Sequence, residues 1–284
     1  MPSDNASEIA AGERFAFGRN WRSFLDRMDE ERIREATRSI EKLLGRDPLR
    51  EKRFVDAGSG SGLFSLAAMR LGAGEVCSFD YDPSSVACAR ELKERFFPKD
   101  DRWRILEGSV LDAAFLRSLG RFDVAYSWGV LHHTGEMWRA LDNVRSLVAP
   151  GGRLALAIYN DQGGSSGRWR RIKRLYCRTP RLLRPALFFP IPLYYELKWM
   201  TTDLFHGKMP FAAWRRQSAR GMSPWHDWID WLGGYPFEVA RPEEIFNFYR
   251  GHGFSLEVLV TCQGGWANNE FVFRAPETDV RGNE

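Results

Sequence analysis

Cysteine is scarce in this sequence. There are four in 284 residues, Cys77, Cys88, Cys177 and Cys262, and no two stand in a C-x-x-C spacing. That argues against a disulfide framework and against a metal site, and it fits a reducing cytoplasm. Long apolar runs are missing as well. The longest, Ala186 to Tyr195, falls far short of the ~20 residues a spanning helix needs and contains two prolines. The N-terminus is polar and acidic, without the charged-then-apolar layout of a secretory signal. No internal repeat is present. These absences predict a soluble, cytoplasmic protein, either one large domain or one domain with an elaborated insert. Acids are scarce in one place only. Between Arg168 and Arg220 stand 13 Lys/Arg against Glu196 and Asp203, so a net charge of +4 conceals a segment at +11 and a remainder at −7.

What is present is concentrated in FVDAGSGSGLFSLAAMRLGAGEVCSFDYD, Phe54 to Asp82. An apolar start ends in Asp56, and Gly58, Gly60 and Gly62 follow at every second position. A helical apolar pattern comes next, then a strand-like run that closes on Asp80. Glycines let the chain turn tightly from strand to helix and let a ligand lie against bare backbone. Dinucleotide folds use G-x-G-x-x-G, which seats a pyrophosphate on the helix N-terminus. Here the order is D-x-G-x-G-x-G. A carboxylate before the turn repels a pyrophosphate and suits a ligand bearing an ammonium group, so S-adenosyl-L-methionine fits better than NAD. An ionised carboxylate at Asp80 accepts from both hydroxyls of a ribose at once.

The wider pattern alternates strands and helices. Asn20 to Leu44 carries apolar residues near helical spacing, stopped by Gly45 and Pro48, and predicts one or two helices packed beside the nucleotide fold. Strands are expected at Arg53, at the run ending in Asp80, at Trp103–Leu106, Phe122–Ser127 and Arg153–Ile158, with helices after Asp82 and over Glu136–Val148. Asp82 caps its helix and Pro83 occupies the first turn. Pro242–Gly251 reads as a helix, and Phe254–Thr261 and Glu270–Arg274 as strands. The first dozen residues read as unstructured, and Pro276 onward as a frayed tail. The predicted division is an N-terminal helical extension (1–50), the first half of the nucleotide fold (51–160), a basic aromatic insert (161–235), completion of the sheet (236–276) and a tail (277–284).

Phe54–Asp82 resembles the first motif and acidic strand end of the class I S-adenosylmethionine-dependent methyltransferases. FDVAYSWGVLHHTGEMWRALDNVRSLVAPGGRLALAIYN resembles the fourth strand, helix and fifth strand of small-molecule members. Together the two cover Phe54 to Asn160, and they agree in order and spacing. The resemblance implies a doubly wound, seven-stranded, mostly parallel α/β sheet whose last two strands are antiparallel, the final one lying beside the fifth, with an α-helical cap inserted after the fifth strand. It places the methionine end of the cofactor on Asp56, Gly58, Ser59, Gly60 and Gly62, the ribose on Asp80 beside Tyr81, and the adenine near Ser109 and Val110, where a hydroxyl replaces the expected acid. Ser127 and Trp128 end the fourth strand, where ligands gather at the carboxyl edge of a parallel sheet.

Candidate chemistry beyond the cofactor rests on histidine and aromatics. His132 and His133 follow the fourth strand, and His226 lies in the insert; an imidazole takes the proton of a hydroxyl as its oxygen attacks. Packing or backbone bonding is the bland alternative for each. Tyr159 and Asn160 end the fifth strand, and Trp225, Trp228 and Trp231 sit at spacing three, as substrate walls or as the core of the cap. Ser127-Trp-Gly-Val stands where many base-modifying enzymes carry Asn/Asp-Pro-Pro-Tyr/Phe, and no Pro-Cys motif is present, which weighs against nucleic-acid bases. The expected activity is methylation, on oxygen, of a small or lipid-like molecule. The alternatives are an RNA or protein methyltransferase docking through the basic insert and a non-catalytic cofactor-binding protein. The run Arg168 to Arg184 reads as a solvated amphipathic helix, and beyond that as a contact for an anionic membrane surface or anionic substrate, with nucleic acid third.

Overall fold

The computed structural model describes residues 5–25, 28–45, 49–205, 207, 228 and 231–278. Helices among these are α1 (Asn5–Ala10), α2 (Phe17–Leu25), α3 (Glu30–Leu44), α4 (Leu63–Arg70), α5 (Pro83–Phe96), α6 (Ala113–Leu119), α7 (Met137–Val144), α8 (Gly164–Arg178), α9 (Arg184–Phe188), α10 (Pro190–Phe205) and α11 (Pro242–Gly251). Strands are β1 (Arg53–Ala57), β2 (Glu75–Asp80), β3 (Trp103–Glu107), β4 (Phe122–Trp128), β5 (Val148–Tyr159), β6 (Ser255–Val260) and β7 (Asn268–Arg274). The chain divides into two compact units, one made of Phe17–Gly167 with Phe237–Glu284 and the other of Met1–Ala16 with Arg168–Pro236.

The first unit holds a seven-stranded sheet in the order β3-β2-β1-β4-β5-β7-β6. β1 to β5 pair in parallel, and β7 runs antiparallel to both β5 and β6. The family resemblance anticipated this closing pair. Strand order reverses between β1 and β4, and ligand crevices open at such switch points, outside the carboxyl ends of the strands.

Two apolar cores sandwich the sheet. Alternation along β1 sends Val55 and Ala57 toward the core built with α6, α7 and α11, and Phe54 toward the one built with α3, α4 and α5. Asp56, being two residues from Phe54, shares its face. α3 is entered through Asp29, whose carboxylate accepts from Arg32 N, and α5 through Asp82, which accepts from Ser84 N with Pro83 in the first turn.

The insert unit has its own core. Along α8, Trp169, Lys173, Tyr176 and Cys177 are buried at helical spacing. Trp169 meets Trp231 at 5.4 Å and Tyr195 at 6.0 Å, and Tyr176 meets Phe188 at 4.9 Å. The buried Lys173 ammonium lies 4.2 Å from the Trp231 ring centroid and donates to the Trp231 carbonyl, which satisfies a charge that burial would otherwise penalise.

Two expectations are corrected. The first dozen residues are not unstructured. α1 forms there with Asn5 buried, Arg14 pairs with Glu8 at 2.5 Å, and Phe15 N donates to Tyr235 O at 2.9 Å. A short polar segment thus gains order from the insert residues it packs on, which local composition does not reveal. The helix expected to run to Val148 ends at Val144, tightens into a 3₁₀ turn over Arg145–Leu147, and Val148 already opens β5. The β5 strand therefore starts before Pro150-Gly-Gly, with an irregular register against β4 between Phe122 and Val124.

Candidate active site

The glycine turn joins β1 to α4. Gly58, Gly60 and Gly62 all have positive φ, 81°, 53° and 82°. A Cβ at Gly58 would lie 2.2 Å from Val130 Cγ1, and one at Gly60 would lie 2.9 Å from Trp21 Cε2. Both positions therefore require glycine for conformation and for space. The loop is tied down through its backbone. Gly58 N and Ser59 N donate to Phe79 O at 2.9 and 3.0 Å, and Gly60 N donates to Asp80 Oδ2 at 2.9 Å.

Asp80 therefore does two things in the structure. Its second oxygen accepts from Asp82 N at 2.9 Å, so the carboxylate is fixed at the mouth of the turn. Tyr81 follows it directly. Asp82, its sequence rival, spends both oxygens elsewhere, on Ser84 N (2.8 Å) and on Gly18 N of α2 (2.9 Å).

Asp56 is almost fully buried, and a directed chain of donors ends on it. Trp103 Nε1 donates to Ser78 Oγ (2.7 Å), Ser78 to Ser65 Oγ (2.6 Å), and Ser65 to Asp56 Oδ2 (2.6 Å). Burial pushes the Asp56 carboxyl up to about 7; the Ser65 hydroxyl opposes the rise and nearby Asp80 adds to it.

At the next strand ends, Ser109 Oγ accepts from Leu111 N at 3.1 Å, which shapes the turn before α6, and Val110 is buried in the α6–α7 core. Ser127 is buried and donates to Ala57 O at 2.8 Å, joining β4 to β1 at the switch point. Trp128 is 37 % exposed, with its ring 6.0 Å from Phe64. Gly129 (φ 75°) then turns the chain into Val130, which presses on Gly58.

His132, His133 and Tyr159 come together just beyond. His132 is wholly buried, with ring centroids 3.9 Å from Tyr159 and 4.4 Å from His133, and its Nδ1 accepts from Tyr159 N at 3.3 Å. His133 packs edge-on to Tyr159 at 5.4 Å and against Phe17 at 5.1 Å. Asn160 accepts from Asn269 Nδ2 at 3.0 Å. Trp228 stands in the insert unit, buried, stacked on Tyr195 at 5.9 Å and donating to Glu196 Oε1 at 2.9 Å. Trp225 and His226 lie outside the described residues.

The helical pattern from Asn20 anticipated a helix here, but not that α2 begins at Phe17 and meets the glycine turn. Phe17 and Trp21, one turn apart, reach His133 and Gly60, and Gly18 N between them holds Asp82. Their i, i+4 spacing was visible, but nothing local says that this face meets the glycine turn. Ser65, Ser78 and Trp103 were missed because the donor chain joins α4, β2 and β3.

A family model described as "Methyltransferase domain" matches residues 28–254, most of the chain. The chain belongs to the class I S-adenosylmethionine-dependent methyltransferase family. Among solved structures, the chain resembles an O-methyltransferase family protein from Burkholderia thailandensis (15% identity, TM-score 0.52, 87% of this chain and 58% of that one). It also resembles magnesium protoporphyrin IX methyltransferase from Synechocystis with bound S-adenosylhomocysteine (14%, 0.52, 90% and 93%). At those identities the likeness is one of fold. Among curated proteins, it is 34% identical over 119 residues to ribosomal protein L11 methyltransferase of Photobacterium profundum, covering 42% of this chain and 37% of that protein. It is 31% identical over 109 residues to tRNA U34 carboxymethyltransferase of Methylococcus capsulatus, covering 38% and 32%. The chain thus spans about a third of the length of the curated relatives it matches.

The cofactor of the family is S-adenosylmethionine, and the residues present fit it. The turn leaves bare backbone where a side chain at Gly58 or Gly60 would collide, a carboxylate is fixed at its mouth, and the buried Ser59 Oγ on the turn has no hydrogen-bond partner among the described residues.

Proposed function

We propose that this methyltransferase methylates an oxygen of a small or lipid-like molecule. The observation that carries the reading is the His132–His133–Tyr159 cluster, set at the carboxyl ends of β4 and β5 and joined to the glycine turn through Val130. A hydroxyl acceptor has a proton to lose, and His133 is the imidazole assigned to take it. His132, inside and bonded to Tyr159 N, holds that ring in place. Trp128, Tyr159 and Phe237, whose ring lies 5.5 Å from Tyr159, supply the aromatic walls, and Asn160 a polar contact for the acceptor.

In the same proposal Gly58, Ser59, Gly60 and Gly62 seat the methionine end of the cofactor against a turn clear of bulky side chains, with the Ser59 hydroxyl as its polar contact and Asp56 beneath favouring its ammonium. Asp80 accepts from the ribose hydroxyls, flanked by Tyr81. Ser109 bonds the adenine edge and Val110 packs under it, while Ser127 fixes the strand end beside Trp128. When bound, S-adenosylmethionine supplies an electrophilic methyl on a sulfonium. The chain's own task is then to align the acceptor, exclude water and remove one proton.

A second reading, methylation of protein or RNA, is favoured by one observation: the exposed arginines of α8 within a segment at +11. Radiolabelled S-adenosylmethionine offered with hydroxylated small molecules and lipids, ribosomal protein, and transfer RNA separates the two. We expect label in the first pool, and His133→Gln to lower that turnover at least about tenfold while S-adenosylhomocysteine affinity stays within about twofold. Label in the protein or RNA pool would overturn the reading.

A further inference from the structure

The insert unit presents an outer surface that is apolar and basic together. Among the described side chains of α10, Pro190, Leu193, Tyr194, Leu197, Lys198, Thr201, Thr202, Leu204 and Phe205 are exposed, and the five large apolar ones, Leu193, Tyr194, Leu197, Leu204 and Phe205, fall in one helical stripe. The side of α10 that faces solvent is thus largely apolar, unlike that of an ordinary surface helix. Leu182 and Leu183, between α8 and α9, continue this character; Leu182 is 94% exposed and Phe205 91%. Alongside, α8 buries Trp169, Lys173 and Tyr176 and turns Arg168, Arg170, Arg171, Arg174 and Arg178 outward around Leu175. α10, of 16 residues, spans only about 24 Å, and among the described residues no helix is long and apolar enough to cross a membrane.

We propose that this surface of the insert unit docks on an anionic phospholipid bilayer, with the leucines and Phe205 entering the headgroup–acyl boundary and the arginines pairing with lipid phosphates. Two features select this occupant. The positive charge of the segment, +11 over Arg168–Arg220, complements an anionic leaflet. The exposed apolar side chains are mainly leucines, which insert into acyl chains but offer a polynucleotide neither hydrogen bonds nor a stacking plane. A second copy of this chain would bring two such basic surfaces together, and that repulsion disfavours self-association. Docking of this kind lies in the plane of the interface, with arginine stems along the apolar boundary and guanidinium groups in the headgroups. It is independent of the acceptor chosen above, because vesicle binding reads the insert surface and methyl transfer reads the crevice.

The test is co-sedimentation of the full chain with vesicles of phosphatidylcholine alone and of phosphatidylcholine with about one-third phosphatidylglycerol. Partition should be at least about tenfold stronger on the anionic vesicles and should fall as sodium chloride rises from about 0.05 M to about 0.5 M. Leu182→Asp with Phe205→Asp should lower partition at least about tenfold while the melting temperature holds, both side chains being almost wholly in solvent. Leu182→Trp supplies an emission probe that should shift to the blue on anionic vesicles alone. Equal partition to both vesicle types, or none to either, overturns the proposal. So does self-association that the double aspartate variant abolishes, which would assign the surface to a second copy. Binding to transfer RNA without vesicle binding, unchanged by the aspartates, would assign it to nucleic acid.

Discussion

The sheet-bearing unit and the insert unit treat their apolar side chains in opposite ways. In the first, Phe54, Val55, Phe79 and Leu156 are wholly inaccessible, enclosed by helices on both faces of a parallel sheet. In the second, a 31-residue stretch from Leu175 to Phe205 contributes ten of the fifteen large hydrophobics that the described residues expose. A parallel sheet must be covered on both sides, so burial there is dictated by topology. A helical insert has no such obligation, and an apolar stripe left facing out is available for a second environment. The units also differ in what stands out in them. In the sheet unit it is backbone: three left-handed glycines, two of which leave no room for a side chain in the turn. In the insert it is side-chain chemistry spread over a surface.

The hardest way to break this comparison is to substitute one glycine in the turn and one outside it, at the start of α8 where the chain leaves the sheet unit for the insert. Gly58→Ala forces a side chain into a left-handed backbone position and against Val130, 2.2 Å from its Cβ. Strain of about 1–3 kcal/mol, together with displaced Val130, should remove measurable S-adenosylhomocysteine binding by calorimetry. Gly167→Ala, in α8 with open space at its Cβ and no positive φ, should leave affinity unchanged and raise helix stability by about 0.5–1 kcal/mol. Equal affinity losses for both would show that the turn has no special claim on the cofactor.

A second test concerns what burial costs the sheet unit. Asp56 has its carboxyl raised from 3.8 to about 7, chiefly because it is removed from water. Its folded state holds the proton more tightly than its unfolded state, so the stability it contributes is present below about pH 4 and lost as pH rises toward 7. Asp56→Asn keeps an acceptor for Ser65 and cannot ionise. In the absence of cofactor, chemical denaturation should show the wild type losing about 3 kcal/mol more than the variant between pH 5 and pH 8. The same pH slope in both proteins would mean that Asp56 is ionised throughout.

These two tests fall where the sequence was most and least informative. The glycine turn, Asp80, the cap at Asp82 and the closing antiparallel pair were legible because they are short-range patterns with one conformational solution each. The chain Trp103–Ser78–Ser65–Asp56 was not, since four elements meet only when the strands are in register, Asp56 against Ser78 and Ser78 against Ile105. Nor was the order of α1, which depends on insert residues more than 150 positions away. For the tryptophans, spacing alone allowed either a pocket wall or a core, and Trp228 lies in the core of its own unit.

The smallest effect separates the two acids at the second strand end. Asp80 and Asp82 stand two residues apart, and either is an acceptor for ribose hydroxyls on sequence grounds. Their surroundings differ. Asp82 gives one oxygen to the N-terminus of α5 and the other to Gly18 N, so it is occupied with holding two helices. Asp80 gives its oxygens to Gly60 N and Asp82 N, which fixes its carboxylate at the mouth of the glycine turn rather than between two helices. Asp80→Ala should therefore weaken S-adenosylhomocysteine binding about tenfold or somewhat more, near 1.4 kcal/mol. Asp82→Ala should cost about 1 kcal/mol of stability through the lost cap while affinity stays within about threefold. Calorimetry and thermal denaturation on the pair give both numbers. An affinity loss larger for Asp82→Ala would move the ribose to Asp82 and reduce Asp80 to a brace for the loop, because a residue that only shapes the turn should act through stability first and affinity second.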